Sequence, residues 1–225
     1  MTAHVRRLTI ASTFLTIALS SGLAPTAAAA WGDEGYSRDV YFASGYERQV
    51  DNRTCTAAGT AMMMNFLAEH DLGLRQLAIL RYEQPRDALN DRVQRGSDPL
   101  GWSKAATYYS RFTGRPTVYA WEAYTTEYAA LKAAAMRIAW YAKPVGLVVG
   151  HGRHAVVMTG FKATRDPNVT SDFRLLSVTI SDPYGARHAT YRPADSPLNR
   201  YLELDATTTY DRLWYGKYII VAPRG

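Results

Sequence analysis

The feature that most constrains this chain is a change of hydrophobic period at Pro144. Before it, apolar residues recur at three- and four-residue spacing; after it, they run continuously or alternate. Helices first and strands later is the order of an α+β fold. From Thr54 to about Glu69, Cys55, Gly59, Met62 and Phe66 share one helical face, and Ala57, Ala58, Ala61, Met63 and Met64 make most of the remaining surface apolar. A helix apolar on most sides is a buried one. Leu74 to Arg81 reads as a shorter helix closed by Pro85. Asp98-Pro99 then supplies a cap and a first-turn proline for a helix with Trp102, Ala105, Tyr109 and Phe112 on one face and Gly114 after its end. Thr126 to Tyr141 repeats the pattern through Tyr128, Leu131, Ala135 and Ile138.

Past Pro144, Val145–Val149 and Ala155–Met158 are continuous apolar runs, which marks strands covered on both faces. Leu176, Val178 and Ile180 alternate with Ser177, Thr179 and Ser181, so that strand has one buried face. Tyr218–Ala222 reads as the last strand, and the stretch around Pro193 and Pro197 as a loop. No Gly/Ser-rich linker divides these segments. The expectation is one α+β domain over 31–225, an N-terminal helical half with a buried cysteine-bearing helix packed on a C-terminal antiparallel β-sheet.

Residues 1–30 read as a secretory signal peptide. Arg6 and Arg7 form the basic region, Leu8 to Leu19 the apolar one, and Ala28-Ala29-Ala30 the small-residue pattern that places cleavage before Trp31. The apolar stretch is shorter than the roughly 20 residues a membrane span needs, so no stable insertion is expected after cleavage and the product is expected to be secreted. Trp31 to Gly45 stays open as a short pro-region or an ordered strand. The mature chain keeps a small basic excess, with Arg75, Arg111, Arg137 and Arg200 scattered rather than grouped. That distribution argues against nucleic-acid binding and leaves room only for weak adsorption to an anionic cell wall.

A single cysteine forbids an intramolecular disulfide and excludes multi-cysteine zinc and iron–sulfur centres. Cys55 falls at a helix N-terminus, where unpaired amides and the helix dipole favour the reactive thiolate. A lone thiol in an exported protein risks oxidation, so its retention points to use. Four histidines follow residue 30. His70 falls near the far end of the cysteine helix and reads as a C-terminal cap, and His188 reads as part of a polar turn after Gly185. His154 opens an apolar strand, whereas His151 lies between two glycines; a strand holds a base more rigidly, which favours His154 and keeps His151 as the alternative. Asp182 ends the Leu175–Ser181 strand on the side of Val178 and Ile180, where a carboxylate needs a partner; it also suits the start of the Asp-Pro-Tyr-Gly turn. Gln49, six residues before Cys55, could donate to an oxyanion beside the Cys55 backbone N–H. His151 and His154 lack an acidic or thiol companion at ligand spacing, so no metal and no cofactor are expected.

Gln49 to Ala58 around the cysteine, Gly152 to Phe161 around the histidine, and Ser181-Asp182-Pro183-Tyr184-Gly185 together resemble the papain-like cysteine peptidases, in particular the bacteriocin-processing, double-glycine-leader branch. The resemblance implies a papain-like fold with Cys55 as nucleophile, His154 as general base and then acid, Asp182 as its orienter and Gln49 as oxyanion donor. It implies a peptide or protein substrate and hydrolysis of a peptide or isopeptide bond. Members linked to exporters work inside the cell, so a chain with a signal peptide reads as an exported, stand-alone member with a different substrate. Two other functions fit the same residues: a transglutaminase-like acyl transferase, in which an amine intercepts the acyl-enzyme, and a catalytically silent binding module displaying some of its 16 tyrosines.

Overall fold

Among the described residues, seven strands form one antiparallel sheet with helices on both of its faces. The computed structural model describes residues 35–88, 96–185, 187–203 and 211–224. One compact unit spans Asp33–Gly225; the other, Met1–Gly32, holds the expected signal peptide and lies, like the Trp31 junction, outside the described residues. In chain order the elements are β1 (Tyr36–Asp39), α1 (Cys55–Ala68), α2 (Gln76–Glu83), α3 (Pro99–Tyr109), β2 (Val118–Tyr124), α4 (Glu127–Tyr141), β3 (Val145–Val149), β4 (His154–Ala163), β5 (Leu175–Asp182), β6 (Arg187–Tyr191), α5 (Asp211–Trp214) and β7 (Tyr218–Arg224). The strand order is β2-β7-β3-β4-β5-β6, and β1 pairs with the far end of β4.

The fold is α+β, as the change of period predicts, but the helical half also gives strands to the sheet. β1 pairs Tyr36 with Ala163, and β2 pairs Val118 with Arg224. Alternation along the central strands separates two cores. Val145, Leu147, Val156, Met158 and Ile220 face α4, packing with Leu131 and Ile138. Val148, Ala155, Val157, Ile219 and Val221 face the other way, onto Met62 of α1 and Trp102 of α3. The continuous apolar runs are therefore strands buried on both faces.

Local signals account for the helix ends. Asp98 accepts from the N–H groups of Leu100 and Gly101 as the cap of α3, and Thr126 accepts from Ala129 N at the start of α4. The buried stripe of α1 covers nearly the whole helix, Cys55 through Leu67. Two glycines make room for Trp102: a Cβ on Gly146 would stand 2.3 Å from its Cη2, and one on Gly59 3.1 Å from its Cζ2. The indole thus wedges between α1 and β3.

Three readings need correction. Leu176 is exposed, because a register shift opposite Lys162 and Ala163 gives the buried position to Leu175. Phe112 lies beyond the end of α3 and is exposed, and Tyr128 is exposed at its ring while its hydroxyl accepts from Leu175 N at 3.1 Å. His188 sits on β6 rather than in a turn; it pairs with Ser181, hydrogen-bonds Ser181 Oγ at 2.9 Å and stacks on Tyr41.

Candidate active site

Cys55 is the first residue of α1. Thr54 precedes it but does not cap the helix: its hydroxyl donates back to Asp51 O at 3.1 Å and accepts from Asp51 N at 3.2 Å. The first-turn amides of α1 are left without a side-chain cap, and the positive end of the helix dipole opens toward the sulfur.

The register of β4 and β5 brings the other two groups together. Val157 pairs with Ser181 and Met158 with Ile180. Carried one step further, this alignment opposes Val156 to Asp182, which places Asp182 diagonally across from His154, within reach of a long side chain. Nε2 of His154 lies 2.7 Å from Asp182 Oδ1, with both side chains half-buried. Cys55 lines the same cavity as the imidazole, close enough for its charge to act on the ring. With Nε2 taken by Asp182, Nδ1 is the nitrogen left for the sulfur. Burial alone would lower the His154 pKa; the bond to Asp182, and the charges of Cys55 and Asp182, outweigh it and push the imidazole up to about 9.

Asp182 holds two positions at once. Its Oδ1 also accepts from Tyr184 N at 2.8 Å, so the carboxylate is both partner of His154 and first residue of the turn. Its backbone is anchored from the cysteine side of the molecule: Tyr46 Oη donates to Asp182 O at 2.5 Å, and Gln49 N donates to Pro183 O at 3.1 Å.

The remaining candidates lie elsewhere. Gln49 shares the loop before Cys55, but its Nε2 donates to Asp51 O at 2.7 Å, and among the described residues its buried Oε1 has no partner. His151 is exposed, with a φ of 58°, and turns toward Asn199 and Arg200 rather than the sulfur. His70 sits past the end of α1 with Nδ1 2.8 Å from Ala68 O. Among the described residues no group of three or more His, Cys, Asp or Glu side chains is arranged to hold a metal ion.

A cavity of about 410 Å³ opens beside the sulfur, lined in part by Asn52, Cys55, Trp102, Val148, His154 and Tyr201. Val148, Ala155 and the Trp102 indole supply apolar lining, and Asn52, Ser97 and Asp98 supply polar lining. Tyr46 is a contributor that local sequence patterns do not reveal, because its partner is 136 residues away. Behind the sulfur lies another: Glu83, fully buried, accepts from Thr56 Oγ1 at 2.8 Å and Thr60 Oγ1 at 3.3 Å.

Among solved structures the fold is similar to a double-glycine motif protease. That crystal structure, of a protease from an AMS/PCAT transporter in complex with the leader peptide, aligns with 79% of this chain and 89% of its own at 17% identity and a TM-score of 0.42. No protein-family profile and no curated protein sequence matches the chain.

Proposed function

We propose that this protein is a secreted cysteine peptidase-like hydrolase that opens peptide or isopeptide bonds through Cys55, His154 and Asp182. The observation that carries the reading is the position of the His154 imidazole, which shares a cavity with the only cysteine and meets a carboxylate at 2.7 Å. A nucleophile, a base and an orienting acceptor in contact is the arrangement that acyl transfer requires.

In this mechanism Cys55 Sγ attacks the scissile carbonyl carbon, and the S–C bond forms as the thiol proton resides on His154. His154 then delivers that proton to the leaving nitrogen as the C–N bond breaks, which leaves a thioester on Cys55. Water, deprotonated by His154, attacks the thioester carbonyl; the C–S bond breaks, the acyl group leaves as a carboxylic acid and His154 returns the proton to sulfur. Asp182 keeps the ring in the tautomer that presents Nδ1 to sulfur. The open first-turn amides of α1, Cys55 N among them, face the developing oxyanion. Gln49 is the proposed second donor, and to act as one its amide must exchange the Asp51 carbonyl for the substrate oxygen. The mature chain is proposed to begin at Trp31 after removal of residues 1–30.

The reading is tested with an electrophilic peptide probe that traps a thiol acyl-enzyme. Wild-type protein is expected to label at Cys55, and Cys55→Ala and His154→Ala to lose labelling. A wild-type protein that stays unlabelled while folded overturns the enzymatic reading.

A further inference from the structure

The buried stripe of α2 has an unusual composition. Gln76, Ile79, Leu80 and Glu83 stand at the spacing of one helix face and are all buried, but only the middle two are apolar. Burying an amide and a carboxyl costs free energy unless each finds partners, and here both find them in the segments that carry the candidate site.

At one end, Gln76 grips the backbone on both sides of Gln49: its Oε1 accepts from Val50 N at 3.0 Å, and its Nε2 donates to Arg48 O at 2.8 Å. At the other end, Glu83 accepts from two threonines one turn apart on α1, the first of which directly follows Cys55. About 10 Å of rigid helix separates the two grips. A buried apolar residue at position 83 would pack α1 on α2 equally well, but it would not set the rotation of the first turn of α1 about its axis.

We propose that Glu83 is a positioning residue for Cys55, fixing the first turn of α1 through Thr56 and Thr60 so that the sulfur is presented to His154. The inference rests on the reading of Cys55 as nucleophile. Its test is therefore the alkylation of Cys55 by iodoacetamide at pH 6.5, which needs no substrate and reads the contact between thiol and imidazole even if no peptide is cleaved.

Three variants decide it. Glu83→Leu keeps the volume and removes both acceptors, and its alkylation rate is expected to fall about 10-fold or more, as small misplacements of a reacting group do. Glu83→Gln keeps an acceptor oxygen and is expected to stay within about threefold of wild type. A residue that only supports the fold would show no such rescue, and its loss would lower the melting temperature instead. Replacing a buried carboxyl by leucine is expected to leave the melting temperature at or above that of Glu83→Gln. Where Glu83→Leu does not fold, Thr56→Val removes the 2.8 Å bond alone and is expected to slow alkylation in the same direction. Wild-type alkylation in Glu83→Leu or Thr56→Val overturns the proposal, as does a loss in Glu83→Gln equal to that in Glu83→Leu. Absence of peptide cleavage by the wild type, with the alkylation gap intact, counts against the peptidase reading and leaves the role of Glu83 standing.

Discussion

The two faces of the sheet are built on different terms. Under α4, Ala130, Leu131, Ala134, Ala135 and Ile138 meet Leu147, Val156 and Ile220, and Met158, Phe161 and Phe173 complete an apolar cluster. Under α1 and α3 the core contains Met62, Met63, Met64 and Trp102, with Thr56, Thr60, Asn65 and Glu83 buried around it. The Trp102 Nε1 there is buried and, among the described residues, has no hydrogen-bond partner. Methionine fills irregular gaps that branched residues leave, and such gaps arise where polar groups dictate where the backbone runs. The α4 face is therefore governed by volume and the α1 face by direction, and Cys55 stands on the second.

This contrast breaks most severely at Asp182. Asp182→Ala frees the imidazole to adopt the wrong tautomer and is expected to lower kcat by about three to four orders of magnitude. Asp182→Asn is expected to retain more, because an amide oxygen can still accept from both His154 and Tyr184 N. Steady-state kinetics on both variants checks this, and an Asp182→Ala protein with wild-type turnover removes the residue from the mechanism.

On the α4 face the effect moves to stability. Leu131→Ala should cost about 2–5 kcal/mol by denaturant unfolding. It should leave Cys55 alkylation at 25 °C unchanged, and a slowed reaction would mean that the two faces are coupled through the sheet.

Acidity sharpens the same contrast. The folded-state pKa of His154 is raised to about 9, above its unfolded value of about 6.5, so the folded protein binds the extra proton between those limits. The stability this contributes is complete below about pH 6.5 and is lost as pH rises through about 9. Asp182→Ala should flatten the decline, and parallel melting curves for the two proteins from pH 6 to 9.5 would refute the assignment. The smallest effect is expected at Tyr46: Tyr46→Phe removes one hydroxyl from the Asp182 carbonyl and should cost about 1 kcal/mol. Its kcat should fall by a few fold with KM unchanged.

What could be read in advance follows the distribution of burial. α1, α3 and α4 and strands β3, β4 and β7 announce themselves because each is buried on a continuous or periodic set of apolar residues. β1 and β6, Tyr-Ser-Arg-Asp and Arg-His-Ala-Thr-Tyr, do not, because their charged and largely solvent-facing residues show no apolar alternation. β2 carried a signal that helical neighbours obscured: Tyr119, Trp121 and Ala123 all face the α1 core. Of the site groups, Cys55 opens a helix, His154 opens a strand and Asp182 ends one, and each boundary is legible from the change of apolar pattern or from a turn. Tyr46 and Glu83 act through partners far away in sequence, and no local pattern encodes such a contact. Gln49 was legible as a position, but not its engagement with Asp51.

The strand order carries a consequence for how the chain reaches this state. β7, late in the sequence, inserts between β2 and β3, and among the described strands β2 has no other neighbour. Until Tyr218–Arg224 arrives, β2 is unpaired and β3 keeps one bare edge, so the middle of the sheet closes after its flanks have been synthesised. Pairings of this span must offset a large loop-closure entropy before they stabilise anything, which makes the topology a slow one. A nascent chain halted before β7 would present two hydrogen-bonding edges to its neighbours, the geometry from which strand exchange and aggregation begin.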